Sequence, residues 1–406
     1  DDAAAGRLGR RDGVKGVAQR LLKAEAPRSG QAAMSAADDL PDPDRRGAPP
    51  HPREATTLLG QEAAESAFLD AWRAGRLHHA WLLRGPEGVG KATLAYRIAR
   101  ALIDAGDGAA PESLAPPPDC PVMRRIRAGA EPRFAVLRRG LNERTKRLKT
   151  QIGVDDVRAL RPFLALSAPD GGWRVVLVDA ADEMTVQAAN ALLKSLEEPP
   201  PRTAFLLVAH APGRLLPTIR SRTRALDLGP LDADTLAAAL DGLGERPTAE
   251  EAAGLAALAG GSVGVAMTLS AEGGLDLYGS LCALLAPGDL PAFRVDRTSL
   301  VRLAEGMGGK AGEGRYALAL TLGPLLLARL ARAAAGAAQS PALPMEARLL
   351  DHAARNPALA PALAEAAGTM AEDGGAARAV SLDPARTVID TWLGLEAALA
   401  RPLARV

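Results

Sequence analysis

The run GPEGVGKAT at residues 85–93 constrains this chain more than any other stretch. It fits G-x-x-x-x-G-K through Gly85, Gly90 and Lys91, with Gly88 inside the turn. Before it stands a short apolar segment, AWLL (80–83). After it, Leu94, Ile98 and Leu102 recur at i, i+4 and i+8, the spacing of one helix face. A strand that runs through a glycine turn into a helix can fold its backbone N–H groups into a nest for phosphate. The helix N-terminus adds positive potential there, and the lysine reaches the terminal phosphates. The plainer alternative is a glycine-rich turn that binds nothing.

The position after the lysine ordinarily carries the Ser or Thr hydroxyl that ligates Mg²⁺; here it is Ala92. Thr93 comes one residue late, and a helix turns about 100° per residue, so it is not expected to face the metal. It still counts with Gly85, Gly88, Gly90, Lys91 and Asp179 among the expected nucleotide-binding residues. Asp179 ends the apolar run of VVLVDAADEM, where a carboxylate meets the Mg²⁺ water shell. The next residue, where a water-polarising Glu is usual, is Ala180. Asp182 and Glu183 read as the acidic start of the following helix. The pattern predicts ATP or ADP binding without efficient hydrolysis.

Beyond the glycine turn, apolar segments at 134–137, 173–178, 204–208 and 223–228 read as strands. Helical patterns at 154–164 and 186–198 lie between them, the latter stopped by Pro199, Pro200 and Pro201. A further helix is expected through Ala64, Phe68, Trp72 and Leu77. Strands alternating with helices predict a parallel sheet with flanking helices. After Pro230 the strand signals cease. Asp232 or Asp234 can cap one helix, Thr248 and Glu251 form a capping box for the next, and Asp383 followed by Pro384 opens the last, with Val388, Trp392, Leu395 and Leu399 on one face. The expected organisation is a disordered tail (1–55), an α/β P-loop domain (56–230), a small helical lid (231–288) and an all-α C-terminal domain (289–406). The chain opens on Asp1 and its first methionine is Met34, so residues 1–33 are expected to lie upstream of the true start.

Composition narrows the function classes. Lys and Arg total 49 against 48 Asp and Glu, so a globally basic nucleic-acid coat is excluded and any DNA contact must be local. The two cysteines, Cys120 and Cys282, cannot build a disulfide framework or a four-thiolate zinc site, and the chain reads as reduced and cytoplasmic. The longest apolar run, 316–328, contains Gly323 and Pro324 and is too short for a span of about 20 residues. It is expected to be a buried helix.

LGQ at 59–61, GRLHHAWLLRGPEGVGKATLAYRIA, VVLVDAADEMTVQAANALLKSLEEPP and TAFLLVAHAPGRLLPTIRSRT together resemble the delta-prime family of bacterial sliding-clamp-loader subunits, AAA+ proteins of DNA polymerase III. The most specific block is ANALLKSLEEPP (189–200). The resemblance is strong over about 56–230, weaker through the lid, and mainly architectural beyond. It implies an AAA+ domain, a lid and a helical collar that holds the chain in a hetero-pentamer with motor (gamma/tau) and delta subunits, acting on the sliding clamp and primed DNA. It also implies that Arg222, in Ser221-Arg222-Thr223 where the family has Ser-Arg-Cys, is an arginine finger reaching the neighbouring subunit's ATP site. The family's lid motif Gly-Ser-x-Arg stands here as Gly261-Ser262-Val263-Gly264, without the arginine.

With Ala92, Ala180 and Gly264 together, a retired ATP site is expected, with polymerase activity belonging to the holoenzyme. The alternatives are an ATP-hydrolysing motor of the gamma/tau kind and a primarily DNA-binding protein. His210 stands at the family's sensor position, as a phosphate contact or a structural group. Adjacent His78 and His79 read as structural, and no zinc or other metal is expected. The basic run Arg138, Arg139, Arg144, Lys146, Arg147 and Lys149 reads as a solvated loop, DNA contact being the alternative. Lys194 is a modest DNA-contact candidate.

Overall fold

The computed structural model describes residues 50–106, 108–117, 120–142, 148–165, 171–287, 293–380 and 383–400. The expected tail up to residue 49, with the suggested start at Met34, lies outside them, as do Arg144, Lys146 and Arg147 of the basic run and the side chain of Leu399.

The first helix, α1 (Glu62–Arg73), leads to β1 (Ala80–Arg84), α2 (Lys91–Ala105), α3 (Pro121–Arg127) and β2 (Phe134–Arg138). Two short helices follow, α4 (Val154–Arg158) and α5 (Arg161–Ala165), then β3 (Arg174–Asp179), α6 (Val186–Glu197), β4 (Thr203–Ala209), α7 (Pro217–Arg220) and β5 (Arg224–Asp227). The five strands form one sheet in the order β2-β3-β4-β1-β5, every pair parallel. Side chains alternate between faces along a strand, and here both faces are covered. Trp81, Leu83, Val175, Leu177 and Leu206 pack with α1 and α2 on one side. Leu82, Val176, Val178 and Leu207 pack on the other with Leu192 and Leu196 of α6. Two buried faces explain why these strands read as continuous apolar runs.

Three local expectations change. The helix expected to reach Leu77 stops at Arg73, because Gly75 takes φ +65° and turns the chain; Leu77 still packs against the core. The single helix expected over 154–164 is broken into α4 and α5, since Pro162 has no N–H to donate to the Arg158 carbonyl. Residues 50–55, expected to be tail, are packed. His51 is buried and meets Tyr96 edge-on, and Arg100 of α2 donates to the carbonyls of Ala55 (2.9 Å) and Arg53 (2.7 Å). Two interior arginines, Arg97 and Arg100, give an irregular strap its backbone partners, which a Pro- and charge-rich composition does not reveal.

The helical half comprises α8 (Ala233–Gly242), α9 (Ala249–Ala259), α10 (Val263–Ala271), α11 (Gly274–Leu284), α12 (Arg297–Glu305), α13 (Gly309–Ala334), α14 (Pro344–Ala354), α15 (Ala360–Val380) and α16 (Pro384–Ala400). Asp232 and Thr248 cap α8 and α9 as expected, the latter with Glu251 in a full capping box. One feature departs from an all-helical reading: Leu285–Pro287 (β6) pairs antiparallel with Phe293–Val295 (β7). Strands of three residues carry no periodic signal. A single apolar core runs from Leu231 to Leu395, so the expected division at residue 288 does not appear as a break in packing. By length and composition α13 could cross a bilayer over Gly312–Ala334. Its Leu322, Leu326, Leu327 and Leu330 are instead buried among the other helices.

A buried polar network ties these helices together. Glu346 is fully buried and accepts from Arg329 Nε at 2.7 Å, from the Tyr278 hydroxyl at 2.7 Å and from the Ala342 amide at 2.6 Å. Arg329 also donates to the carbonyl of Ala257, so α9, α11, α13 and α14 share one charge pair. Burial and the Glu346 carboxylate push the Cys282 thiol up to about 12 and raise the Tyr278 hydroxyl well above its usual value. Removing one member of such a pair strands the other. Glu346→Ala is expected to lower the unfolding free energy by about 3–5 kcal/mol in chemical denaturation, and the double variant Glu346→Leu/Arg329→Met by much less. A loss below about 1 kcal/mol in the single variant would show that the network is dispensable.

Candidate functional site

The glycine loop forms where β1 ends. Gly85, Gly88 and Gly90 take φ of +151°, +74° and +99°, conformations that favour glycine. Close approach adds a second reason. A Cβ on Gly85 would sit 2.1 Å from the Leu228 carbonyl oxygen, and one on Gly90 2.5 Å from Leu58 Cδ1. Gln61, for which the sequence pattern supplies no role, is buried and locks this corner. Its amide donates to the carbonyls of Val89 (3.2 Å) and Gly229 (2.8 Å), and its oxygen accepts from the Gly229 amide.

Lys91 opens α2 and is only 2% exposed. Its ammonium donates to the carbonyl of Gly85 at 2.7 Å and to that of Pro86, which draws it back across the loop. Gly88, Gly90, Lys91, Ala92, Thr93, Asp179 and His210 line one cavity of about 300 Å³. Thr93 therefore stands on the cavity wall while Ala92 presents a methyl group. The cavity is largely apolar, walled on one side by Pro50, Pro52, Ala55, Thr57 and Leu58 of the strap and on another by Leu243 and Val263. Arg97 (to Thr56 O, 2.8 Å) and Arg100 fasten the strap. Burial, then Arg127 and Arg97, pull the Arg100 guanidinium down to about 10.

Asp182 does not start a helix. It lies in a 3-10 turn at Ala181–Glu183, and its two carboxylate oxygens accept from the His210 and Ala211 amides at 3.1 and 2.9 Å. The carboxylate thus fixes the loop after β4 beside Asp179. Glu183 pairs with Arg139 at 2.9 Å. The cap of α6 is Thr185, whose hydroxyl accepts from the Ala188 amide. An acidic pair before a helix is ambiguous between these roles until the neighbouring loop is placed.

The start of α10 meets the loop directly. Gly264, where the family motif carries arginine, donates its amide to the Gly88 carbonyl at 3.1 Å. A Cβ at Gly264 would lie 3.2 Å from Gly88 Cα, and one at Gly88 would strike Ser262 Oγ at 2.1 Å. Backbone lies against backbone here, and a Cβ at Gly264 would need Gly88 to give by a few tenths of an ångström.

Arg222 is not part of this cavity. In the β1–β5 register Trp81 faces Arg224, so Arg222 lies before the start of both strands, whereas the glycine loop follows their ends. At about 3.3 Å per residue the separation along the sheet is on the order of 20 Å. Arg222 is half-exposed. It pairs with Glu197 at the end of α6 (2.8 Å) and donates to the Thr218 carbonyl (3.1 Å). His79, at the same edge, bonds through Nε2 to the Leu196 carbonyl (2.9 Å) and stacks on His78, the ring centroids 4.3 Å apart. Lys194 is exposed on α6. Cys120 is buried, its thiol 3.8 Å from Asp104.

Comparison with known proteins places this architecture. The family model described as "DNA polymerase III, delta subunit" matches residues 60–232. Over that segment the chain is similar to the DNA polymerase III delta family. DNA polymerase III subunit delta' of Pseudomonas aeruginosa is 41% identical over 200 residues, 48% of this chain and 56% of that protein. Subunit delta' of Escherichia coli K12 is 35% identical over 218 residues, 53% of this chain and 61% of the relative. E. coli subunit tau is 32% identical over 187 residues, 46% of this chain and 27% of tau. The chain thus spans a little over half the length of these two delta' relatives. The similarity falls on the α/β segment, with its parallel sheet and glycine loop.

The histidine pair at the far edge generates a prediction. Burial first, and then the neighbouring His78, hold His79 below the ordinary value of 6.5. A histidine depressed in the folded state contributes stability that is full above its unfolded value and is lost as the pH falls through the folded one. Urea midpoints at pH 7.5 and 5.5 are expected to differ more for the natural protein than for His79→Gln. Equal differences would remove His79 from the account.

Proposed function

We propose that this chain is a delta-prime-type subunit of a bacterial DNA polymerase III clamp loader, and that it lends Arg222 to the ATP site of an adjacent motor subunit. The observation that carries the reading is the placement of Arg222 about 20 Å, across the sheet, from the chain's own phosphate loop. An arginine so placed cannot serve its own site but stands ready for a neighbour's. Its planar, permanently charged fork suits a phosphoryl group, and such a finger contributes on the order of 10³–10⁵ in rate where it acts in trans.

The chain's own site fits nucleotide binding better than turnover. The glycine cradle, buried Lys91 and the apolar cavity suit the phosphates and base of ATP or ADP. Ala92 offers Mg²⁺ no hydroxyl, Ala180 offers water no base, and Gly264 brings no side-chain charge to the loop. On this reading the loop, strap and lid form a fixed body, and the helical half joins motor and delta subunits around primed DNA and the sliding clamp in the bacterial cytoplasm. A catalytic role for the chain alone is not part of the proposal.

One observation favours the second reading, a motor of the gamma/tau kind: Lys91, the cradle and Asp179 are all in place around the cavity. DNA- and clamp-stimulated ATPase in a reconstituted loader separates the two. Arg222→Ala is expected to remove most of the turnover at the abutting site, at least about tenfold, and Lys91→Ala to change it little. A large loss with Lys91→Ala and none with Arg222→Ala would make this chain a motor.

A further inference from the structure

We propose that Glu197 is a positioning residue for Arg222, holding its guanidinium in place before a neighbouring subunit docks. The inference rests on the reading of Arg222 as a trans-acting arginine and adds a residue to it.

Glu197 Oε1 lies 2.8 Å from Arg222 Nη2, while Nη1 donates to the Thr218 carbonyl at 3.1 Å and meets Ser221 Oγ at 3.4 Å. The arginine and glutamate side chains remain 37% and 47% exposed, so the pair is not sealed in the core. An exposed ion pair contributes little to fold stability. It can still decide where a long side chain points. A free surface arginine samples many rotamers and loses that freedom on meeting a phosphate; ordering it beforehand reduces the loss.

The position of Glu197 is itself fixed at both ends of its helix. At the start of α6, Thr185 caps the helix directly after the turn in which Asp182 holds the His210 loop beside the phosphate cavity. At its end, the Leu196 carbonyl is bonded by His79, next to β1. Twelve residues of helix span about 18 Å, close to the sheet's end-to-end length. Glu197 therefore stands on a strut running from the nucleotide cavity to the opposite edge, with Arg222 fastened to its tip. Each guanidinium Nη carries two hydrogens; Nη1 gives its two to Thr218 and Ser221, while Nη2 gives one to Glu197 and keeps the other for an incoming phosphate.

The test is steady-state ATPase of the loader reconstituted with motor and delta subunits, comparing natural protein, Glu197→Gln, Glu197→Asp, Arg222→Ala and the double variant Glu197→Gln/Arg222→Ala. Subunit assembly is checked by native mass spectrometry. Glu197→Gln is expected to lower kcat roughly three- to tenfold with the KM for ATP unchanged, and Glu197→Asp to recover part of the loss. In the Arg222→Ala background, Glu197→Gln is expected to change nothing further, because its effect passes through that arginine. If Arg222→Ala is damaging and Glu197→Gln equals the natural protein, the positioning role is wrong and the trans-arginine reading stands. A further loss in the double variant would likewise overturn positioning. If Arg222→Ala is silent, both fall.

Discussion

A parallel sheet has two chemically different ends, and the rest of this molecule is arranged around that asymmetry. Every strand of the five-stranded sheet points the same way, so the turns after β1, β3 and β4 gather at one edge. Those turns carry the glycine loop, Asp179 and His210, which face one cavity. The opposite edge collects what precedes the strands: His79 before β1, Arg222 before β5, and the end of α6 with Glu197. Register keeps the two groups apart, and no side-chain rotation can bring them together. On the proposed function, a glycine cradle and a half-exposed arginine at opposite ends of one domain suit a ring in which each site is completed by a neighbour.

The second half is built on different physics. Its helices share one core with the buried Arg329–Glu346–Tyr278 network at its centre. A charge pair in that setting is weak evidence for added stability, because both ions lose their water on burial. Where the lid meets the phosphate loop, Gly264 and Gly88 touch through their backbones, with Ser262 beside them. Glycine at 264 suits this close seating, since a Cβ there would lie 3.2 Å from Gly88 Cα.

Much of this was legible before any coordinates. The glycine spacing placed the loop, the apolar runs placed all five strands of the main sheet, and Asp232, Thr248 and Pro384 marked helix starts. These signals are local or periodic. What escaped depends on distant partners. The strap at 50–58 takes its order from Arg97 and Arg100, some 40 residues on. Asp182 looks like a helix-start residue until the β4 loop lies against it. Gln61 and Glu197 gain meaning only when Gly229 and Arg222 arrive beside them. The β6–β7 pair is too short for a period to register.

The most direct measurement is a structure of the reconstituted loader holding a non-hydrolysable ATP analogue. The account predicts Arg222 within hydrogen-bonding reach of the terminal phosphate bound to the adjacent motor subunit, with Glu197 still against its guanidinium. An Arg222 turned to solvent, or a neighbouring phosphate met by a different residue of this chain, would contradict it.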